Sequence, residues 1–341
     1  MKQYVGLDIS MEETSVCVLD HTGKATFQGS VTTGPEAIAE VLSQYATHAE
    51  RIVFETGSLS NWLWHELKAL GFPVICLDAR HANAALSMRM NKSDKNDAKG
   101  LAEMARMGWF REVSVKSAEN RKLRSTLSAR AKLVDLRRDL DNQIRGLCKG
   151  LGILLGKAGS ISLKNKLNAM LADAPELRQL FSPLLQAQEC LTEQIEKFDR
   201  LLHAMAKTDQ TARRLMSVPG IGPLTALSFV ATIDDPKRFK SSADVGAYLG
   251  LTPRRYQSGE VDRTGRISKR GDILARTYLF EAANVLLHVV RRGSALKRWG
   301  AKLVKRIGAK KAKVAVARKM AVILHAIWAD GTVFEPERKA A

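Results

Sequence analysis

The spacing of apolar residues changes near residue 115, and that change limits the chain to an α/β unit followed by a largely helical one. Before it, short runs alternate with the period of two that sets one face of a strand against a core. Residues 4–9, 14–19 and 25–31 read as strands separated by the polar turns 10–13 and 21–24, a three-strand meander. A helical pattern over 35–45 follows, then a strand over 51–55, a helix over 61–70, a strand over 73–77, and helices over 81–90 and 95–107. The order βββαβαβα predicts an α/β domain of the ribonuclease-H-like kind over residues 1–112.

Farther along, the period becomes helical. Leu123, Leu127, Leu133, Leu136, Leu140, Ile144 and Leu147 form one series, and Leu180, Leu184, Leu185, Leu191, Ile195, Phe198 and Leu202 a second. Two long helices turned back near residues 150–162 account for both. They form either a coiled-coil spacer over 113–207 suited to dimerisation, or a plain helical core. A mostly α domain is expected over 208–332, with a flexible tail at 333–341.

Charge narrows the partners. Against 35 Asp and Glu the chain carries 54 Lys and Arg, a net charge of +19, while 45% of its residues are hydrophobic, too many for a disordered chain. Residues 1–110 hold 10 basic and 13 acidic side chains, whereas residues 252–320 hold 19 and 4. A nearly neutral domain joined to a strongly cationic one is the footprint of a protein that displaces counterions from phosphates, so DNA is the expected partner. A basic face kept for solubility is the plain alternative. Cys17, Cys76, Cys148 and Cys190 show no CxxC or Cys/His spacing, so neither a zinc site nor a disulfide framework is indicated. The opening residues read as a strand rather than a secretory leader, and no apolar stretch approaches the roughly 18 residues of a membrane span. A cytoplasmic protein, at the nucleoid when active, is expected.

Four acids carry the sharpest chemical signal. Asp8 interrupts the apolar strand Val5-Gly-Leu-Asp-Ile9 and Glu55 closes Ile52-Val-Phe-Glu55, where an unpaired carboxylate is costly. Asp94 and Asp97, three apart at a helix start, share a face. Four oxygen ligands at one sheet edge suit two divalent cations, Mg2+ or Mn2+, which promote in-line phosphoryl transfer. Each acid has a simpler reading: Asp94 or Asp97 as a helix cap, Asp8 as a turn residue, Glu55 as a surface residue at a strand end.

Two further motifs lie in the cationic region. Val218-Pro-Gly-Ile-Gly222 reads as a helix–hairpin–helix-like turn, with Gly220 and Gly222 letting backbone N–H groups approach a phosphate and Arg213 and Arg214 just upstream. A Gly-rich turn between packed helices fits equally well. Thr252-Pro-Arg-Arg-Tyr-Gln-Ser-Gly259 and Ile267-Ser-Lys-Arg-Gly-Asp272 read as a loop dense in phosphate-binding donors from Arg254, Arg255, Lys269 and Arg270. Ser258 is a candidate nucleophile that would need activation from elsewhere, Tyr256 is a rival, and Ser268 is a capping or phosphate-contacting residue.

The Asp8, Glu55, Asp94 and Asp97 motifs resemble the DEDD tetrad of the IS-one-ten family of insertion-sequence transposases, which includes the pilin-gene invertases. The Pro-Gly-Ile-Gly turn and the Ser258 segment resemble that family's C-terminal transposase domain, and the likeness runs from about residue 3 to 330. It implies a RuvC-like domain holding Mg2+, a coiled-coil spacer, and Ser258 as a catalytic serine forming a covalent phosphoserine intermediate. It also implies donor and target duplexes, a noncoding bridge RNA as guide, and a dimer that becomes a tetramer in the synaptic complex. Glu260 and Asp262 have no role in this picture. Two alternatives remain at this stage: a RuvC-like metal-dependent nuclease hydrolysing branched DNA, and a non-catalytic nucleic-acid-binding protein.

Overall fold

The computed structural model describes residues 2–87, 93–156, 159–172 and 174–337, and the chain divides into two compact units, 1–116 and 117–341. The ends of the expected helix 81–90 and tail 333–341, the centre of the expected turn 150–162, and Asn91 and Lys92 beside the acidic motif lie outside the described residues.

The N-terminal unit is built on one mixed sheet. Strands β1 (Gln3–Ile9), β2 (Glu13–Asp20) and β3 (Ala25–Thr32) form the antiparallel meander, followed by α1 (Pro35–Tyr45), β4 (Ala49–Glu55), α2 (Ser60–Ala69), β5 (Val74–Leu77), α3 (Ala79–Leu86) and α4 (Asp94–Met107). The strand order is β3-β2-β1-β4-β5, with β4 parallel to both β1 and β5. Parallel strands covered on both faces need near-continuous apolar runs, which Ile52-Val-Phe and Val74-Ile-Cys-Leu supply. On one face Val5, Leu7, Val16, Val18, Ile52 and Phe54 bury against Ile38 and Leu42 of α1 and Leu63 and Leu67 of α2. Against the other face Tyr4, Val53 and Leu77 pack on Leu101, Met104 and Ala105 of α4, and Cys17 and Leu19 on Ala98 and Ala102.

Gly6 sets how closely α4 approaches the sheet. A β-carbon at this position would come within 2.1 Å of the Ala98 carbonyl oxygen and 2.4 Å of the Ala102 nitrogen. Backbone therefore lies on backbone, and no side chain fits between.

The C-terminal unit begins with α5 (Ala118–Gly150) and α7 (Pro175–Thr208), with the shorter α6 (Ser160–Leu171) between them in sequence. Three levels of contact show that the long helices run antiparallel. Leu123 and Leu127 share a cluster with Leu202 and Ala206, Arg130 pairs with Asp199 at 2.6 Å, and Ile144 and Cys148 pack with Phe181 and Leu185. Leu163 and Leu167 of α6 complete that far cluster. The near ends of the helix pair belong to the main core of this unit, which is thus continuous from α5 to the last helix. Asp234, in a left-handed conformation (φ 67°), accepts hydrogen bonds from Ser117 Oγ at 2.7 Å and Asn120 Nδ2 at 2.6 Å, holding the start of α5.

Within the core, α8 (Gln210–Leu215) leads through the Pro-Gly-Ile-Gly turn into α9 (Pro223–Ile233), buried from Thr225 to Ile233. Around it pack α10 (Ser242–Tyr248), α11 (Ile273–His288), α12 (Ala295–Ile307) and α13 (Ala309–Asp330). One difference from the sequence reading stands out. Residues 253–267, a loop by composition, pair instead as an antiparallel hairpin of β6 (Pro253–Ser258) and β7 (Val261–Ile267). All of β6 is exposed, so its sequence carries none of the alternation that a half-buried strand imposes. The polycationic stretch up to Lys319 forms α12 and the first half of α13, with Leu296, Gly300 and Leu303 turned inward at helical spacing.

Gly6→Ala is expected to destabilise the N-terminal unit by about 1–3 kcal/mol, the cost of overpacking. Gly57→Ala, where a β-carbon meets open space, should stay within about 0.5 kcal/mol; denaturant melts of both variants check the contrast. Among the four cysteines, Cys190 is exposed while Cys17, Cys76 and Cys148 are buried, and burial pushes the Cys76 thiol up to about 11. Maleimide should therefore label one thiol in the native protein and all of them after denaturation, as read by intact-mass spectrometry.

Candidate active site and nucleic-acid interface

The register of the sheet brings two of the acids together. In the parallel pair β1–β4, Leu7 stands opposite Phe54, so the next residues, Asp8 and Glu55, lie side by side at the ends of adjacent strands. Alternation places both on the face opposite Leu7 and Phe54, which is the face where α4 covers Gly6. Helix α4 runs back along β1: Tyr4 packs with Leu101, Met104 and Ala105, and Gly6 with Ala98 and Ala102. Its first turn, with Asp94 and Asp97, consequently points to the end of β1 that carries Asp8. Ser93 caps this helix, its hydroxyl accepting from the Asn96 N–H at 3.3 Å, so the cap is not supplied by either aspartate. Asp94 is exposed and the other three acids are half-buried.

All four donors are hard oxygens, of the kind that suits a divalent cation. Among the described residues, however, no three His, Cys, Asp or Glu side chains are gathered closely enough to hold a metal ion. The backbone thus brings the acids to one edge without closing their carboxylates into a ligand sphere.

Ser258 occupies the tip of the exposed hairpin. It pairs with Val261 across the two-residue turn Gly259-Glu260, in which Gly259 takes φ 54°. Glycine at the first central position with positive φ is the type II′ pattern, whose twist matches paired strands. Alternation sorts the ribbon into two faces. Arg254, Tyr256 and Ser258 share one with Arg263, which stands opposite Tyr256 and diagonally from Ser258. Arg255 and Gln257 share the other with Asp262. There Arg255 is held bidentately by Asp262, with Nε–Oδ1 at 2.9 Å and Nη2–Oδ2 at 2.7 Å, and this pairing lowers the Asp262 pKa and raises that of Arg255. Asp262, which has no role by sequence, therefore occupies one of the two candidate guanidinium groups. Arg263 is the residue that sequence reasoning missed; only the strand register brings it to the Ser258 face. Among the described residues no hydrogen bond to the Ser258 hydroxyl is formed.

The base of the hairpin is pinned by backbone. Ser268 N–H donates to the Thr252 carbonyl at 2.8 Å and Lys269 N–H to the Gly250 carbonyl at 3.1 Å. A β-carbon on Gly250 would strike the Arg270 carbonyl oxygen at 2.1 Å, and both glycine and Lys269 (φ 54°) adopt left-handed conformations. Arg276 Nη1 donates to the Arg270 carbonyl at 2.7 Å and the Leu249 carbonyl at 3.1 Å. Asp272 caps α11 and is ion-paired to Arg124.

In the Pro-Gly-Ile-Gly turn the two glycines differ. Gly220 (φ 93°) faces α11, where a β-carbon would lie 2.6 Å from the Ala282 carbonyl oxygen, so it serves packing. Gly222, just ahead of α9, has open space at that position, with Arg213 exposed and Arg214 half-buried nearby in sequence. His325, the most buried histidine among the described residues, bonds Ser242 Oγ and the Pro236 carbonyl, each at 2.9 Å.

Comparison with known proteins bears on both halves. A family model described as a transposase matches residues 5–152, which include all four acids, and one described as the transposase IS116/IS110/IS902 family matches residues 212–298, which include Ser258. The transposase for insertion sequence element IS1111A of Coxiella burnetii is 30% identical over 330 residues, covering 95% of this chain and 88% of its own length. A probable family 20 transposase of Pseudomonas aeruginosa is 31% identical, covering 82% of this chain and 84% of its own. The pilin gene-inverting protein of Moraxella bovis is 30% identical over 88 residues, covering 26% of this chain and 27% of its own. Two family models in the same order along the chain, and full-length relatives at this identity, establish that the chain belongs to the IS116/IS110/IS902 family of transposases.

Proposed function

We propose that this chain recombines the DNA of an insertion sequence, with Ser258 as nucleophile and Asp8, Glu55, Asp94 and Asp97 acting on the same scissile phosphate in the assembled complex. The observation that carries the reading is the exposed serine at the tip of an arginine-bearing hairpin in a chain whose other unit presents four acids at one sheet edge. In the first step Ser258 Oγ attacks phosphorus, the Oγ–P bond forms, and the P–O bond to the leaving strand breaks. The leaving oxygen takes up a proton and departs as a hydroxyl, while the serine proton passes to solvent. Attack by a hydroxyl of the exchanged strand reverses these events and frees the serine, so the phosphoester energy is kept and no ATP is needed.

Magnesium or manganese held by the four acids would polarise the phosphate and so assist attack by Ser258, whose hydroxyl has no hydrogen-bonded base among the described residues. Arg263 and Arg254, on the serine's face, stabilise charge developing on the phosphoryl oxygens, while Arg255 is committed to Asp262. The mixed sheet, its strand order and the acids at its edge support a RuvC-like reading of the N-terminal unit. The antiparallel α5–α7 pair supports a coiled-coil role in bringing copies together: a dimer, then a tetramer once two duplexes are joined. Gly222, Arg213, Arg214, Lys269 and Arg270 are read as backbone contacts to donor and target DNA, and base selection is assigned to a noncoding guide RNA. No described helix is long and apolar enough to cross a membrane.

The test uses cells carrying the complete element with its flanking noncoding DNA, since protein without a guide would be inert. Protein recovered under denaturing conditions should carry DNA covalently attached at Ser258, and both adduct and recombined junctions should vanish in Ser258→Ala and Asp8→Ala. Junctions that persist in Ser258→Ala but vanish in Asp8→Ala would return the protein to metal-dependent hydrolysis. An adduct on Tyr256 would move the nucleophile by two residues. In the same assay Arg263→Ala should lower junction formation by about a hundredfold, the scale of losing one preorganised donor, whereas Arg255→Ala should cost no more than about tenfold.

A further inference from the structure

Beside the hairpin, within the C-terminal unit, lies a groove of about 1280 Å³. One wall is the return strand β7 from Thr264 to Ile267, and the opposite wall is a face of α13 on which residues 310, 311, 314, 315, 318, 319 and 322 recur at helical spacing. Phe280 and Trp299 also line it, the latter 40% exposed although it is the largest apolar side chain nearby. Six cations line it and no carboxylate does. Among the described residues Arg266, Lys310, Lys311 and Arg318 have no acidic partner, in contrast to Arg255 of the same hairpin, which is held by Asp262. Cationic walls around an exposed indole are unlike either a solvated basic helix, which has no aromatic lining, or a core cleft, which has no unpaired charge.

We propose that this groove holds an unpaired segment of the DNA strand being exchanged, with Trp299 as a stacking platform for a base and Arg266, Lys310, Lys311 and Arg318 along the phosphates. The identity of the strand as DNA rests on the transposase reading; its being single-stranded rests on the groove. Bases in a duplex already stack on one another and cannot present a face to Trp299, whereas an unpaired base can, and each such stack is worth about 1–3 kcal/mol. From Lys310 to Arg318 the helix rises roughly 12 Å, room for three to four stacked nucleotides at about 3.4 Å each. From Pro253 at the groove to Ser258 at the tip the strand spans roughly 17 Å, so the groove engages nucleotides about five removed from the scissile phosphate.

The test is equilibrium binding of full-length protein to fluorescent oligonucleotides at one fixed salt concentration: a 15-mer of deoxythymidine, a 15-mer of uridine, and a duplex of the same length. Trp299→Ala should weaken binding of the deoxythymidine 15-mer by about five- to a hundredfold while leaving the duplex within about twofold, and Trp299→Phe should restore most of the loss. The double charge reversal K310E/K311E, on exposed helix positions, should weaken it too and flatten its salt dependence. Unchanged binding by Trp299→Ala, or equal losses for single strand and duplex, would overturn the proposal, as would a loss confined to the uridine 15-mer. Because the readout involves no catalysis, the groove can fail while Ser258→Ala still abolishes recombination, and the recombinase reading can fail while the groove still binds.

Discussion

The geometry of the acidic edge depends on one close contact, the seating of α4 directly on β1. Gly6 permits it: with no side chain on that residue, the carbonyl of Ala98 and the nitrogen of Ala102 come within the space a β-carbon would fill. A helix so close to a strand has little freedom to slide or rotate, because interiors are packed to near crystal density. Its first turn is thereby fixed over the end of β1, and the sheet register fixes Glu55 beside Asp8. Asp8, Glu55, Asp94 and Asp97 come from three separate elements, yet two backbone contacts decide where all of them stand.

The C-terminal unit solves the opposite problem. Its candidate nucleophile, Ser258, is carried on a two-stranded ribbon that buries almost nothing, and such ribbons are marginal on their own. Stability is imported at the base, where Gly250 and Lys269 in left-handed conformations let two backbone segments interlock and Arg276 bridges their carbonyls. Along the ribbon the Arg255–Asp262 pair ties the strands on one face, though an exposed pair of this kind is worth little by itself. Its larger effect is selective: it leaves the other face, with Ser258 and Arg263, as the cationic one.

Much of the N-terminal unit was legible because burial writes a pattern into sequence. Val5, Leu7, Ile52 and Phe54 recur at alternate positions because they share the face that α1 and α2 cover, and Asp8 and Glu55 stood out because they interrupt strands that are otherwise apolar. Gly6 was not legible, since nothing in its neighbours shows that a helix backbone rests on it. The hairpin 253–267 was missed for the converse reason: exposed on both faces, it obeys no alternation, and Arg, Gln and Ser between Gly and Pro read as loop. With the hairpin unseen, its register was unseen, and so were the tie between Arg255 and Asp262 and the placement of Arg263. The Pro-Gly-Ile-Gly turn was read correctly as a turn between helices, but the roles of its glycines separate only in three dimensions, Gly220 against α11 and Gly222 in the open.

The seam between α5 and α7 is apolar at both ends and polar midway, where Gln188 donates to Asp141 at 3.3 Å in a buried setting and Arg130 meets Asp199. Buried polar partners gain little stability, but they can be satisfied in only one alignment of the two helices. Sliding one helix by a turn would strand these groups against leucine. The pair is therefore keyed as well as packed. At about 1.5 Å per residue, helices of 33 and 34 residues make a strut roughly 50 Å long. Mechanically it is a ruler rather than a tether: whatever binds at its far end is held at a set distance from the core that carries the hairpin.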